Sequence, residues 1–312
     1  MDQSLVTSTP AIYGLPFRAA FLFNAAGMNP YRKFVFEYAR LAKEGKDYPL
    51  GGFPKCPRPR TPAGAPNVLV FSPHPDDECI TGGLALRLLR EARMNVHNVA
   101  VTLGSKKERQ AERWGELESA CNFLGFGLIS TGAFCLENIN LKTRAQNRKH
   151  WLAAVGVVAG ILQKMKPAAI FLPHQHDWNS THIGTHFLVF DALKRMPVRY
   201  DCFLFETEYW GQMTDPNLMI ESGADDVTDL VSAASFHAGE MRRNPFHLLL
   251  PAWMQDNVRR GSEVVGGQGE AAPDFTFATL YRLRKWHLGK IIKILDAGKQ
   301  ISCQTNPGKL FA

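Results

Sequence analysis

The sequence lacks most features that would classify it directly. Its six cysteines (Cys56, Cys79, Cys121, Cys135, Cys202 and Cys303) form no CxxC pair and keep no regular spacing. That argues against a zinc knuckle or a disulfide framework and fits a reducing compartment. No apolar run approaches the ~20 residues of a membrane span. The N-terminus has an acidic residue at Asp2 and no basic-then-apolar order, so a secretory leader is not expected and the expected location is cytoplasmic. Low-complexity tracts and internal repeats are absent. The net charge of +7 is spread along the chain, apart from Arg58-Pro59-Arg60 and Arg282-Leu283-Arg284-Lys285, so a nucleic-acid groove is not expected. What remains, at 312 residues with 45% apolar and 21% charged, is a soluble globular chain able to bury a substantial core.

The organisation is legible from Asn67 onward. Residues 1–66 read as an N-terminal extension: an amphipathic helix over Tyr31–Leu41, then an irregular linker marked by Gly51-Gly52 and Pro54, Pro57, Pro59, Pro62 and Pro66. Residues 67–312 read as a single domain. Strands at 67–72, 96–102, near Leu128, 168–173 and 201–206 alternate with helices at about 79–92, 107–124, 144–165 and 181–195. Such repetition predicts an α/β fold, a mainly parallel sheet with helices on both faces. Beyond it the pattern predicts a helix over 233–241, a Gly-rich loop over 261–273 and a basic amphipathic helix over Tyr281–Leu295.

Two turns carry the polar chemistry. The apolar run Val68-Leu69-Val70-Phe71 leads into Ser72-Pro73-His74-Pro75-Asp76-Asp77-Glu78, and the run ending at Pro173 leads into His174-Gln175-His176-Asp177-Trp178-Asn179-Ser180-Thr181-His182. Both lie between a strand and a helix start, where ligands bind in open α/β sheets. Imidazole and carboxylate are zinc ligands, and a catalytic zinc takes three protein ligands and leaves a position for water. His74 and Asp77 supply two, a histidine of the second cluster the third, and Asp76 is placed to act as general base. The structural alternative is that Pro-Asp-Asp-Glu only caps a helix and suits its dipole.

The stretch from Ser72 to Glu78 resembles the PHPDDE signature of the LmbE/PIG-L family of zinc-dependent N-acetylglucosaminyl deacetylases. Gly104-Ser105 with Arg109, Arg113 and Glu116-Leu117 resembles that family's next block, and Asp177 to His182 stands where the family has D-x-H-P-D-H. The resemblance, over about residues 67–210, implies a Rossmann-like fold and makes His74, Asp77 and His182 ligands of Zn2+ or another divalent metal such as Fe2+. It makes Asp76 the general base and Arg113 a contact for sugar hydroxyls. Asn179 replaces a histidine held to steady the oxyanion and Thr181 replaces an aspartate; the Asn179 amide can donate a hydrogen bond but carries no charge. His186 is expected to support the site from behind the ligands or to be a packed histidine, Asp177 to orient His182 or cap the helix, and Glu78 to brace the cluster or suit the helix dipole. His174 and His176 form an H-x-H able to hold metal but are expected rather to form a wall or proton relay; His237, Tyr209 and Trp210 are expected to line a sugar pocket or to pack in the core.

The expected activity is removal of an acetyl group from an N-acetylated amino sugar by zinc-activated water, acting on a small molecule or glycan. Alternatives are an amidase of a sugar conjugate, a non-catalytic carbohydrate-binding relative, and a 2-His-1-carboxylate Fe(II) enzyme; the last usually needs an all-β barrel, against the alternation here. An HExxH peptidase is excluded because Ile183 follows His182.

Overall fold

The computed structural model describes residues 29–311, and the chain divides into two compact units, Met1–Gly45 and Lys46–Ala312. In the first, the described part is helix α1 (Pro30–Glu44), three residues longer at its end than the spacing predicts. Asn29 caps it, its side chain accepting from the Tyr31 N–H at 3.0 Å, and Pro30 occupies the first turn, where a missing N–H costs nothing. Residues 1–28 of the extension expected over 1–66 lie outside the described residues.

The second unit begins at Lys46, so the proline-rich stretch expected as a linker up to residue 66 is part of it. The Cys56 N–H donates to the Phe123 carbonyl at 3.0 Å, and the Asn95 N–H to that of Pro66 at 2.9 Å. The Phe53 ring packs edge-on against Phe123 and Phe236, at 6.5 and 6.2 Å between centroids. This segment is strapped to the domain by backbone and aromatic contacts.

The elements that follow are β1 (Asn67–Ser72), α2 (Asp77–Ile80), α3 (Gly83–Arg90), β2 (Asn95–Ala100), α4 (Gln110–Leu124), β3 (Gly127–Ser130), α5 (Leu141–Gln146), α6 (Arg148–Met165), β4 (Ala169–Pro173), α7 (Ser180–Leu193), β5 (Cys202–Thr207), β6 (Leu218–Ser222), α8 (Ala224–Ser235), α9 (Ala238–Arg243), α10 (Leu250–Gly261), β7 (Phe277–His287), β8 (Lys290–Lys293) and β9 (Lys299–Ile301). Among the described residues nine strands form one sheet, ordered β3-β2-β1-β4-β5-β7-β6-β9, with β8 paired to β7. The first five strands pair in parallel; β7 enters antiparallel between β5 and β6, and β9 runs parallel to β6. The fold is therefore the mainly parallel α/β sheet that the alternation predicts.

The pleat of β1 divides two cores. Val68 and Val70 face one side with Leu84 and Leu88 of α3, Leu117 and Leu124 of α4, and Leu230 of α8. Leu69 and Phe71 face the other with Val155, Val158 and Leu162 of α6 and Leu188 and Val189 of α7. Burial on both faces explains why β1 and β4 read as unbroken apolar runs. Each such fully buried side chain stabilises by about 1.5–3 kcal/mol.

Three expectations are corrected. The helix predicted over 79–92 is split at Thr81-Gly82, because Gly82 (φ 88°) passes against Thr279 of β7, where a Cβ would collide. The helix predicted over 233–241 is two helices, α8 and α9, broken at Phe236-His237. The predicted helix Tyr281–Leu295 is the strand β7 and a hairpin to β8 through Leu288 (φ 48°) and Gly289 (φ 75°), the positive-φ pair of a type I′ turn. The charges of Arg282 and Arg284 suggested a solvated helix face; both instead pair with the buried Glu206 of β5, Arg282 through two bonds of 2.7 and 2.8 Å and Arg284 at 2.6 Å.

Candidate metal centre

Strand β1 pairs directly and in parallel with β4, Val68 opposite Ala169, so the turns leaving their carboxyl ends are neighbours. The chain leaves β1 towards β2 on one side and β4 towards β5 on the other. The two polar clusters thus meet at the topological switch point of the sheet.

There the structure brings together His74, Asp77 and His182. His74 Nδ1 lies 3.2 Å from His182 Nε2, His74 Nδ1 3.4 Å from Asp77 Oδ2, and His182 Nε2 3.3 Å from Asp77 Oδ2. Three ligands held at 2.0–2.1 Å from one tetrahedral ion lie about 3.3–3.4 Å apart, so this donor set fits a zinc-class ion. Asp77 and His182 are buried, while His74 keeps a partly open side. Asp77 is fixed by the His74 N–H, which donates to Oδ2 at 2.8 Å. Burial works against its charge, but His182 and His74 outweigh that and hold the carboxyl well below its ordinary range. Burial likewise opposes charge on His182, yet Asp77 and Asp177 push it up to about 10. The edge of the buried Tyr209 ring packs on His182, 4.9 Å between centroids.

Asp76 has a different task. It precedes α2, but its side chain makes no capping bond, so the helix-cap explanation of this aspartate fails. Its backbone sits at φ 116° and ψ −26°, outside the regions comfortable for a residue with a Cβ, at a cost of about 1–3 kcal/mol. Burial first, then the Asp77 charge, raises its carboxyl above the ordinary value; His237 and Arg113 oppose the shift. Glu78 accepts the Asp76 N–H at 3.0 Å through Oε2. Its other oxygen accepts from His237 Nε2 at 2.6 Å and from the Cys79 thiol at 3.3 Å. Glu78 therefore braces the turn, and His237, expected in a sugar pocket or the core, is buried behind it. No sequence pattern links these two residues, which are 159 positions apart.

Arg113 of α4 reaches back to this turn. Its Nη2 donates to the Pro75 carbonyl at 2.9 Å and lies 3.9 Å from Asp76 Oδ2. Gly104 lets the guanidinium pass, since a Cβ there would collide with Nη1. Arg113 also borders a cavity of about 240 Å³ with Ser105, Lys106, Arg109, Glu240 and Arg243.

The second turn is held by Asp177 and Asn179. Asp177 Oδ1 accepts from the Asn179 N–H at 2.8 Å, and its Oδ2 from the N–H groups of Trp210 and Gly211 at 3.2 and 3.3 Å. It stands 3.6 Å from His182 Nδ1, on the side away from Asp77. The cap of α7 is not Asp177 but Asn179, whose Oδ1 accepts from the Thr181 N–H at 2.8 Å; only its NH₂ is left to donate elsewhere. His174 is buried, with Nε2 on the Gly211 carbonyl at 2.8 Å and Nδ1 facing the His176 N–H at 3.3 Å, so the expected wall or relay role gives way to a structural one. His186 donates from Nδ1 to the Pro173 carbonyl at 3.0 Å, supporting the strand end rather than the ligands; burial pulls it down to about 4, with Glu206 opposing. Trp210 packs edge-on with Phe246, half-exposed.

Residues 69–193 match the family model of PIG-L, GlcNAc-PI de-N-acetylase. No curated protein matches the sequence. Among solved structures, N,N′-diacetylchitobiose deacetylase from Pyrococcus horikoshii is 17% identical with a TM-score of 0.52, covering 83% of this chain and 94% of that one. The 4-carboxy-2-hydroxymuconate hydratase GalB from Pseudomonas putida is 16% identical at 0.49, covering 70% and 95%. A deacetylase of teicoplanin biosynthesis is 14% identical at 0.46, covering 74% and 100%. Likeness at this identity speaks to the fold alone. The two polar turns at the switch point of the sheet both lie within residues 69–193, the stretch that is similar to the PIG-L family.

Proposed function

We propose that the compact unit Lys46–Ala312 is a metal-dependent N-deacetylase that hydrolyses the acetamide of an amino sugar of N-acetylglucosamine type. The observation that carries this reading is the spacing of His74 Nδ1, Asp77 Oδ2 and His182 Nε2, all 3.2–3.4 Å apart, beside a carboxylate that caps nothing. The description of the matched family, a de-N-acetylase, supports the same reaction class.

In this reading His74, Asp77 and His182 hold a divalent ion, Zn2+ or Fe2+. When bound, such an ion supplies Lewis acidity, acidifying a water and polarising a carbonyl. Asp76 removes the proton from the attacking water and returns it to the departing nitrogen, because an unprotonated amide nitrogen is a very poor leaving group. Arg113, whose Nη2 lies 3.9 Å from Asp76 Oδ2, orients that carboxylate and presents its cavity-facing edge to sugar hydroxyls. The Asn179 NH₂, its oxygen tied to the helix cap, donates to the developing oxyanion. Asp177 keeps the His182 ring oriented, and the products are a free amine and acetate. No helix among the described residues is long and apolar enough to cross a membrane. The six unbridged cysteines favour a reducing compartment, and we place the enzyme in the cytoplasm.

The test is metal analysis together with amine release from a panel of free, glycan-linked, lipid-linked and nucleotide-linked N-acetylglucosamine derivatives, for wild type and Asp76→Asn. Wild type is expected to bind one divalent ion and release amine from at least one member. Asp76→Asn is expected to keep the ion and lose about 10²–10⁴-fold in kcat. A wild type that binds no divalent metal, or an Asp76→Asn variant as active as wild type, overturns the assignment.

A further inference from the structure

Behind the candidate centre lies a second group of metal-ligating residue types, Glu78, Cys79 and His237, all buried. Its geometry is that of a closed hydrogen-bonded pair. His237 Nε2 and Glu78 Oε1 are 2.6 Å apart, much shorter than the about 3.3 Å separating two ligands of one zinc-class ion. The free oxygen of Glu78 holds the Asp76 N–H at 3.0 Å, so a chain of contacts runs from His237 through Glu78 to a residue with φ 116°. His237 is itself fixed. It occupies the break between α8 and α9, where its N–H donates to the Ala234 carbonyl at 3.1 Å and its carbonyl accepts from Glu240 and Met241 at 3.0 and 2.9 Å. Two residues on, the Gly239 N–H donates to Glu116 of α4 at 2.7 Å.

We infer that His237 and Glu78 are positioning residues whose hydrogen-bonded pair holds the Asp76 backbone in its left-handed conformation and so aims the Asp76 carboxylate. A carboxylate alone in a buried space has several orientations. One oxygen bound to an imidazole anchored on another element leaves the other oxygen a single direction, towards the Asp76 N–H. Nothing else among the hydrogen bonds of this turn ties the Asp76 amide. The role of Asp76 as base rests on the function proposed above; the conformational claim stands apart from it, and the experiment reads the two separately.

The full-length chain is prepared as wild type, His237→Ala, His237→Gln, Glu78→Gln and Asp76→Asn, with His237→Ala also combined with Asp76→Asn. Each is loaded with zinc. Three quantities are measured: metal per chain, amide hydrogen exchange of the peptide spanning 73–80, and kcat and KM for amine release. His237→Gln can still donate to Glu78 and is expected to stay near wild type. His237→Ala is expected to keep one zinc per chain, to exchange at the Asp76 amide at least ten times faster, and to lose about 10²-fold in kcat with KM within about twofold. Glu78→Gln, which has one acceptor oxygen for the three donors that Glu78 takes (the Asp76 N–H, His237 Nε2 and the Cys79 thiol), is expected to behave likewise and serves should His237→Ala not fold. In the Asp76→Asn background His237→Ala is expected to remove little further activity, since both act through one carboxylate. Unchanged exchange in both variants, an additive loss of kcat in the double variant, or two zinc ions per wild-type chain overturns the inference. Full activity of Asp76→Asn with faster exchange in His237→Ala would instead overturn the base assignment and leave the positioning contact standing.

Discussion

Two groups of histidine and carboxylate lie against the same turn, and they differ in what their spacing permits. In one, two imidazole nitrogens and one carboxylate oxygen face each other at 3.2–3.4 Å, with His74 partly open. In the other, an imidazole and a carboxylate touch at 2.6 Å and both are buried. The first leaves room for an ion between its donors; the second has used its donors on each other. Composition does not separate them, since both are assembled from ordinary metal-ligating residue types. The separation of about 0.7 Å does, because a hydrogen bond and a shared ion demand different distances.

The sharpest way to break this contrast is to remove a donor from the open group. Asp77→Ala is expected to abolish tight divalent binding and bring amine release to background. In wild type, zinc at 100 times its Kd is expected to raise unfolding free energy by about 2.7 kcal/mol, and thermal melts with and without zinc should show no such shift in Asp77→Ala. His237→Ala should retain it. A zinc-dependent shift surviving in Asp77→Ala would move the ion elsewhere.

A larger closed group tests the other half of the comparison. Glu206 is fully buried and neutralises Arg282 and Arg284 of β7, while Asp215 supports Arg282 at 2.8 Å. Glu206→Ala leaves two guanidiniums without their buried partner and is expected to destabilise by about 3–5 kcal/mol in denaturant unfolding, with zinc affinity unchanged in whatever fraction remains folded. A loss of zinc affinity without a loss of stability would show that this network serves the ion.

The smallest expected effect separates two duties of one residue. Asn179→Ala removes the cap of α7 and should cost about 1 kcal/mol. Asn179→Asp retains a capping oxygen but has no NH₂, so stability should stay within a few tenths of wild type while kcat falls. If Asn179→Asp keeps wild-type kcat, the oxyanion contact is not made by this amide.

The parts of this molecule that could be read along the chain are those governed by neighbours in sequence. The runs of β1 and β4 announce buried strands, and the polar turns after them announce strand-to-helix corners, because alternation of strand and helix is a local pattern. The resemblance of Ser72–Glu78 to a family signature added the ligand roles. Other features were invisible for a shared reason. Strand β7 reads as a helix along the chain because Arg282 and Arg284 look solvated until β5 brings Glu206 beneath them. The short strands β6 and β9 carry too few residues to show a period and exist through pairing with β7 and with each other. His237 gives no sign of its tie to Glu78, formed where α8 breaks.

The class of sheet and the two turns that carry chemistry follow from periodicity, and His74 and Asp77 from one contiguous motif, whereas His182 was singled out among the histidines of the second turn by the resemblance to a family. Tertiary structure decided the rest. Pairing of β1 with β4 set the three donor atoms within reach of one ion. Packing of α8 against α2, with His237 just past the end of α8, turned Glu78 from a helix-start acid into a brace. The passage of β7 beside β5 made two exposed-looking arginines part of the interior. These depend on distances between segments far apart in the chain, which only the closing of the sheet sets.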